Sequence, residues 1–504
     1  MSDTPLPRDV KAAIDLLRSD LRRAWRVADL ARLCGVPRRS LEKHFRQFLS
    51  CSPAEFLHQE RLSRAHQLLR RAPRGMSVTT AASECGLLHF GRFAASYRTR
   101  FGQSPSDTLR FARAATLCNA MPYVAMVAAH RPSLAVLPFE GTEGGPADLR
   151  DLGAEVATAV IRTGWVGLAP PEGARYRLQG RVVTDANGLL RIRMTLLDRA
   201  SSRFVWAAVF DGAATGSGAI EDWVCRDAAH GIASAVRDAE VARSKRMFAG
   251  DAPAWDLSMR ALPILLAADP RSHDEAVELL HRAVESDPRD PLSLALAAWC
   301  HGLRAGHHFT RHAAAERQAA GRFVSEAAAL PTCGALADTI LSAACMLVHD
   351  LKASERHARR ALAVDAASSW GWGRLAWVHA YRGEAAMAIE CCRIAQTVGP
   401  ADPLGYVWSI GIAAASFELG RYGDAVMWYR KALAAQRKAV WINRFLAAAL
   451  ALAGERDGAR DSLASLDQVL PGLTINQVRC GLPHTASFLD QLAEGLAAAG
   501  MRHA

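Results

Sequence analysis

The stretch from Val27 to Leu57 is followed by a second copy of its own pattern, and this duplication constrains the fold more than any other feature of the chain. A shift of 51 residues aligns the residues before the turn, which are Val27/Val78, Ala31/Ala82, Cys34/Cys85 and Gly35/Gly86. A shift of 52 residues aligns the apolar residues after it, which are Leu41/Phe93, Phe45/Tyr97, Leu49/Phe101 and Leu57/Leu109. Glycine adopts the left-handed backbone of a tight turn without steric cost. The pattern therefore predicts two helix-turn-helix units, each followed by a helix that begins at a Ser-Pro pair.

The basic residues are concentrated in the part of the chain that holds the duplication. The net charge of +11 comes entirely from residues 1–115, where 21 Lys/Arg stand against 10 Asp/Glu. The rest of the chain is neutral, with 40 residues of each sign. A cationic module beside a neutral remainder favours a polyanionic partner for the module, and charge alone is equally compatible with a solvated basic surface.

The second helix of each unit carries the side chains that we expect to contact this partner. Its apolar residues are predicted to be core: Leu41 and Phe45, then Phe93, Tyr97 and Phe101. Its other faces carry Arg38, Arg39, Ser40, Lys43 and Arg46 in the first helix-turn-helix copy, and His89, Gly91, Arg92 and Ser96 in the second copy. Such helices place their N-terminal residues in the major groove of double-stranded DNA, where Arg can bind guanine O6 and N7. We predict Arg39, Lys43 and Arg92 as the foremost DNA contacts. For Arg38, Arg46, Arg98 and Arg100, a phosphate contact or solvation fits as well as base reading.

A long helix is predicted between the two units. Ser52-Pro53-Ala54-Glu55 has the order of a capping box with proline in the first turn, and the helix continues to about Arg71. At 1.5 Å per residue it spans roughly 27 Å, which is enough to hold two DNA-reading helices apart.

The N-terminal module resembles the DNA-binding domain of the AraC/XylS family of bacterial transcription regulators. The resemblance covers about residues 8–113 and depends on Arg61-Leu62, Ala81-Ala82, Cys85-Gly86, Phe93, Tyr97, Phe101-Gly102 and Ser104-Pro105. It implies seven helices, with two helix-turn-helix units that enter neighbouring major-groove segments. RNA polymerase is a further candidate partner of a regulator of this kind. Two features depart from the family: Leu87-Leu88 replaces the usual Phe and small or polar residue, and the domain lies at the N-terminus.

Residues 131–245 are predicted to form a small α/β domain. An apolar run at Ser133–Phe139 indicates a buried strand, a helix follows, and then strands at 176–184, 189–197 and 203–210 form a meander, with Asn187-Gly188 as a hairpin turn. The segments SLAVLPFEG and RIRMTLLDRASSRFVWAAVFDG resemble the TolB-like domain of bacterial regulators and cyclase-linked proteins. The resemblance implies a sensing or docking role without naming a ligand.

Residues 250–504 are predicted to form an α-solenoid of tetratricopeptide-like repeats. Small residues recur seven positions apart and a break follows five positions later, as in Ala276/Ala283/Pro288, Ala388/Ala395/Pro400 and Ala425/Ala432/Arg437. The spacing between repeats is close to the period of about 34 residues of this repeat class. We expect about six helical pairs and a protein or peptide partner on the concave surface.

Several kinds of site and location are not indicated. The cysteines show no disulfide or zinc spacing and the chain begins without a signal peptide, which predicts a cytoplasmic protein. Residues 115–130 are interpreted as a linker, because the apolar run Ala114–Ala129 is too short for a membrane span. His307, His308 and His312 lack companion ligands and predict a solvated loop rather than a metal site. We expect no cofactor and no catalytic residues.

The fold class predicted is therefore multidomain and mainly α: an all-α double helix-turn-helix domain at 8–114, the small α/β domain and the α-solenoid. Three functions compete. The favoured one is a sequence-specific DNA-binding transcription regulator whose C-terminal regions sense a signal or a protein partner. The alternative is a repeat-based interaction scaffold with a basic docking head. The third, an enzyme such as a cyclase fused to a sensor, lacks a catalytic constellation in the sequence.

Overall fold

In the computed structural model the chain forms two compact units, Met1–Ala120 and Met121–Ala504. The structure describes residues 7–23, 25–49, 51–71, 77–87, 90–101, 104–106, 108–109, 132–141, 152–184, 189–213, 217–247, 252–330 and 334–504. Within these ranges no helix is both long enough and apolar enough to cross a membrane. The apolar run Ala114–Ala129 lies outside these ranges. The predicted division into residues 8–114, 115–130, 131–245 and 250–504 stays a prediction.

The first unit contains the predicted pairs of short helices. They are α1 (Arg8–Ser19), α2 (Val27–Leu33), α3 (Arg38–Leu49), α4 (Pro53–Arg71), α5 (Val78–Glu84) and α6 (Phe90–Phe101). Gly35 and Gly86 form the two turns, and each has a φ of +70°. The predicted capping box is present, because the Ser52 amide donates to Glu55 Oε2 at 2.7 Å and the Glu55 amide donates to Ser52 Oγ at 3.2 Å.

Each helix-turn-helix unit has its own apolar core. Leu41 and Phe45 are fully buried in the first core, and Phe93 and Tyr97 are buried in the second. The prediction that Phe101 is a core residue is only partly confirmed, because Phe101 packs against the core without being fully buried. Phe101 is half-buried and stacks on His66 with ring centroids 4.2 Å apart, so it covers the edge of the core.

The second unit begins with a mixed sheet. Its strands are β1 (Ser133–Val136), β2 (Glu140–Gly141), β3 (Gly167–Leu168), β4 (Tyr176–Thr184), β5 (Leu189–Asp198) and β6 (Arg203–Ala213), with helices α7 (Leu152–Arg162) and α8 (Ser217–Arg246). The strand order is β3-β1-β4-β5-β6, with β2 also paired to β4. The antiparallel meander of β4, β5 and β6 confirms the prediction, although the hairpin residues Asn187-Gly188 are outside the described residues. The two-residue strands β2 and β3 are too short to leave a periodic signal.

A stack of helical pairs follows the sheet. The pairs are α9 (Ala254–Ala267) with α10 (His273–Ser286), α11 (Pro291–His307) with α12 (Ala313–Ala328), α13 (Gly334–Leu347) with α14 (Leu351–Val364), α15 (Ser369–Tyr381) with α16 (Ala385–Val398), α17 (Gly405–Glu418) with α18 (Tyr422–Ala435), and α19 (Asn443–Leu452) with α20 (Arg456–Asp467). Two more helices, α21 (Ile475–Gly481) and α22 (Ala486–Ala499), end the chain. The alanines of the repeat pattern are buried where paired helices meet. The described chain therefore contains a helical repeat region of the solenoid type.

A buried carboxylate joins the sheet to the first repeat. Glu240 of α8 is 1% exposed and accepts hydrogen bonds from Tyr176 Oη at 2.7 Å and Trp255 Nε1 at 2.9 Å. Arg243 contacts both Glu240 and Asp256, so α8 is tied to β4 on one side and to α9 on the other. This bonding explains why the two regions form one compact unit.

The C-terminal helices fold back onto the first repeats. His308 Nε2 donates to the Gln477 carbonyl at 2.6 Å, and Arg317 Nη2 donates to the Gly481 carbonyl at 3.3 Å. The prediction of a solvated loop at His307-His308 is wrong, because His307 is 7% exposed and His308 is held by this contact. The beginning and the end of the repeat region are therefore in direct contact.

Acidification from pH 6.5 to pH 5 is expected to destabilise the second unit. Burial lowers the pKa of His308 to about 4 and that of His484 to about 3. Because an unfolded histidine titrates near 6.5, the unfolded chain binds more protons below that pH, and the free energy of unfolding falls by about 1.4 kcal/mol per pH unit for each group. The stabilisation is complete above pH 6.5 and is lost towards the folded-state pKa values.

Urea unfolding of the full chain at pH 7.5, 6.5, 5.5 and 5.0 measures this dependence. His308→Gln should reduce the slope, whereas the matched change His503→Gln, at an exposed position, should leave it unchanged. A free energy of unfolding that does not change between pH 6.5 and 5 would contradict the expectation.

Candidate nucleic-acid interface

Helix α3 presents one apolar face to its core and one cationic face to solvent. Leu41 and Phe45 are fully buried. Arg39, Lys43 and Arg46 are exposed and lie four and three positions apart, so they follow one side of the helix; we call these three residues the basic stripe. Of the other predicted contacts on this helix, Arg38 is exposed and Ser40 is half-buried.

The acidic neighbours of α3 are engaged away from the basic stripe. Glu42 accepts a hydrogen bond from Arg38 Nε at 2.9 Å, and Asp9 accepts one from His44 Nδ1 at 2.7 Å. No stripe residue forms an ion pair with any residue that the structure describes. The pKa of Glu55 is lowered mainly by its hydrogen bonds with Ser52 and, to a smaller degree, by the charge of Arg46. The stripe thus keeps its charge available to an external anion.

Helix α6 offers fewer charges than α3. Gly91 and Arg92 are exposed at its beginning and Ser96 is half-buried one turn later, whereas His89 lies outside the described residues. A Cβ atom at Gly91 would meet no atom within 4 Å, so packing inside the protein does not require glycine there. Arg100, at the other end of the helix, donates to Ser63 Oγ at 3.0 Å and is therefore engaged within the module.

The two helix-turn-helix units are joined by arginines that bind backbone carbonyls. Arg61 of α4 donates from Nε to the Leu21 carbonyl and from Nη2 to the Arg23 carbonyl, both at 2.8 Å. Arg22 donates from Nε to the Glu84 carbonyl at 3.0 Å, at the end of α5. Burial lowers the pKa of Arg61. Part of the cationic excess therefore holds the domain together and is not free to bind DNA. A count of charges does not show this, and Arg61 is notable in the sequence only as part of the family motif.

Comparisons with known proteins identify the module. Residues 30–110 match the family model of a helix-turn-helix domain. The chain is 41% identical over 106 residues to a probable thc operon regulatory protein of Rhodococcus erythropolis, covering 21% of this chain and 32% of that protein. It is 33% identical to the crystal structure of a probable AraC family transcriptional regulator from Rhodopseudomonas palustris CGA009, covering 21% of this chain and 98% of that one, with a TM-score of 0.21. The N-terminal domain is therefore a helix-turn-helix domain similar to those of transcription regulators, among them AraC family regulators, and we refer to it below as the AraC-type domain.

The similarity to curated relatives is partial. The chain spans about a third of the length of the Rhodococcus regulatory protein. It is also 29% identical over 180 residues to a putative adenylate cyclase 3 of Rhizobium meliloti, which covers 31% of this chain and 30% of that protein. Each of these similarities therefore covers less than a third of the chain.

The AraC-type domain carries one further candidate contact that the sequence reasoning missed. Phe90, the first residue of α6, has 45% of its surface exposed although it is a large apolar residue. An apolar side chain at the beginning of a reading helix can pack against the methyl group of thymine in the major groove. The sequence gives no distinct signal for this contact, because Phe90 lies three and seven positions before Phe93 and Tyr97 and so has the spacing of a core residue.

Proposed function

We propose that this protein is a sequence-specific, DNA-binding transcription regulator. Its AraC-type domain inserts α3 and α6 into adjacent major-groove segments of double-stranded DNA. The basic stripe is the observation that carries the proposal, because it presents three cations that form no ion pair with a described carboxylate, on the helix that such domains use for reading. Arg39 lies near the N-terminus of α3, where side chains reach base edges, and its guanidinium can bind guanine O6 and N7 together.

The distribution of charge supports the same function. The excess of 11 positive charges lies within residues 1–115, and the repeat region adds none. Release of counterions from DNA makes such binding depend steeply on salt. The scaffold alternative, in which the basic head only docks on a protein, does not share this dependence on salt and DNA sequence.

The second unit is proposed to be the sensing part of the regulator. The TolB-like resemblance of the sheet region and the closed repeat region both fit a role in receiving a signal or a protein partner. We propose a regulator without catalytic activity that acts in the cytoplasm and has RNA polymerase as a partner. The buried His–carboxylate pairs of the repeats, such as His357 with Asp338 at 2.7 Å, link neighbouring helices and have a structural role.

Binding of the purified full chain to DNA from upstream of its own gene tests the proposal. We expect a complex that survives an excess of random-sequence competitor and weakens steeply between 50 and 200 mM salt. Equal affinity for upstream and random DNA, or binding that does not respond to salt, would reject sequence-specific regulation in favour of a docking head.

Replacing Arg39 by alanine is expected to weaken specific DNA binding by about 1–3 kcal/mol, because one bidentate base contact is lost. Fluorescence anisotropy with the wild-type site and with single-base variants measures the effect. The loss should disappear when the base that Arg39 reads is itself changed. Arg32→Ala is the matched control, because Arg32 is equally cationic but lies on α2 with 79% of its side chain exposed and pairs with Asp29. If both variants lose the same affinity for every sequence, Arg39 does not read a base.

A further inference from the structure

A small cavity lies inside the closed repeat region. Its wall combines the first helices of successive pairs with the C-terminal segment, and it is mainly apolar and aromatic. The cavity volume is about 70 Å³, counted as the space open to the centres of water molecules. Because one water needs roughly 10–15 Å³ on this measure, the cavity has room for a compact organic molecule and not for a peptide.

Two buried arginines stand at this cavity without an anionic partner. Arg374 lines it and is 4% exposed, whereas Arg444 is 1% exposed and reaches the wall only through its contacts with the lining residues His307 and Phe445. Nε and Nη2 of Arg374, and Nε and Nη1 of Arg444, have no hydrogen-bond acceptor among the described residues. Arg444 donates from Nη2 to His307 Nδ1 at 2.6 Å, which is a neutral acceptor at best. Neither guanidinium forms an ion pair with a described carboxylate.

Aromatic rings hold the two guanidinium groups in place. The Arg374 guanidinium carbon lies 5.1 Å from the centre of the Trp299 ring and 5.6 Å from that of Trp408. The corresponding distance from Arg444 to Phe445 is 4.7 Å. Cation–π attraction offsets part of the loss of hydration but supplies no hydrogen-bond acceptor.

Both groups remain cationic at neutral pH. Burial lowers the pKa of Arg374 and of Arg444 to about 10, which is still well above 7. The charge of Asp402 partly offsets this lowering of the Arg374 pKa, but the Asp402 carboxylate accepts hydrogen bonds from Trp370 Nε1 at 3.0 Å and from the Leu404 amide at 2.8 Å. Two charges are thus kept in an apolar interior at a cost that an external anion would remove.

Further hydrogen-bond donors on the wall lack acceptors. The indole N–H groups of Trp377 and Trp441 and the hydroxyl of Tyr429 are buried, line the cavity and have no partner among the described residues. Unpaired donors and cations on an aromatic wall complement a molecule with an anionic, acceptor-rich end and an apolar body.

We propose that this cavity binds a small organic carboxylate with an apolar body of on the order of ten non-hydrogen atoms. Its carboxylate accepts hydrogen bonds from Arg374, the buried charge of Arg444 next to the wall attracts it as well, and its hydrocarbon part packs against the surrounding rings. This site would make the interior of the repeat region a receptor for a small molecule instead of a groove for a peptide. The inference does not depend on the proposed DNA binding, because the ligand is measured in the absence of DNA.

Isothermal titration of the full chain with phenylacetate and with its neutral isostere phenylacetamide tests the proposal. Hexanoate and hexanamide form a second pair with an aliphatic body. We expect saturable binding of at least one carboxylate, at least tenfold tighter than its amide and accompanied by a rise in Tm. Equal affinity for acid and amide, the absence of binding by both acids, or equal binding of inorganic phosphate would overturn it.

Variants locate the site. Arg374→Met and Arg444→Met should each reduce carboxylate affinity at least tenfold. Arg430→Met is the matched control, since Arg430 is 55% exposed and pairs with Glu455 on the outer side of the repeats, and it should leave the affinity unchanged. Retention of wild-type affinity by both cavity variants would overturn the assignment. The comparison of acid with amide in the wild-type chain decides the question even where a variant fails to fold.

Discussion

Replacing Gly86 by alanine is expected to destabilise the AraC-type domain by about 2–4 kcal/mol. Gly86 has a φ of +70°, a conformation that costs an alanine roughly 1–2 kcal/mol. A Cβ atom there would also lie 2.8 Å from the Leu21 carbonyl oxygen and 3.1 Å from Arg22 Cα. This backbone cannot move away easily, because Arg61 holds the Leu21 carbonyl. The strain of the turn and the close contact therefore add.

Gly35 provides the matched control for this prediction. It has the same φ of +70°, but a Cβ atom at this position would meet nothing within 4 Å. Gly35→Ala should therefore cost only the roughly 1–2 kcal/mol of the backbone conformation. Hydrogen–deuterium exchange of peptides from residues 53–101 and 27–49 in the full chain reports the local stability in each case. Similar losses in the two variants would show that the close contact of Gly86 with Leu21 and Arg22 does not contribute to the destabilisation.

Replacing Gly373 by alanine is expected to destabilise the second unit by about 3 kcal/mol or more. A Cβ atom at Gly373 would lie 2.1 Å from Cζ3 of Trp408, which is fully buried. Trp408 is restrained by a hydrogen bond from its Nε1 to Ser369 Oγ at 3.3 Å and by Arg374 above its ring. The gain in helix propensity from glycine to alanine, about 1 kcal/mol, is too small to compensate.

Thermal unfolding of the full chain, followed by circular dichroism, measures this change. Gly405→Ala is the matched control. Gly405 is the first residue of α17, and a Cβ atom added there would meet nothing within 4 Å. We expect a clear fall in Tm for Gly373→Ala and little change for Gly405→Ala. Equal Tm values would mean that Trp408 can leave its place at little cost.

Local structure could be predicted from the sequence wherever its cause lies within a few residues. Helix α2 (Val27–Leu33) ends just before the predicted turn at Gly35, and α4 begins at the predicted capping box. Strand β4 has the predicted bounds, because alternation and turn residues act within one strand. For the same reason the apolar faces of α3 and α6 were predictable, apart from the half-buried Phe101. Helical spacing predicts that the residues of the basic stripe contact DNA, and this role stays a prediction.

The partners of charged and polar side chains depended on contacts far apart in the chain. Arg61 binds a carbonyl 40 residues away, and His308 binds one 169 residues away. No periodic pattern encodes such a pairing, since it arises only when separate helices have packed. The sequence by itself determined helices α3 and α6, the turns before them and the helical character of the repeats. Only the tertiary structure decided which arginines are structural, that the repeat region closes on itself, and that Arg374 and Arg444 are left as cations in an apolar interior, because burial and ion pairing are properties of the packed chain.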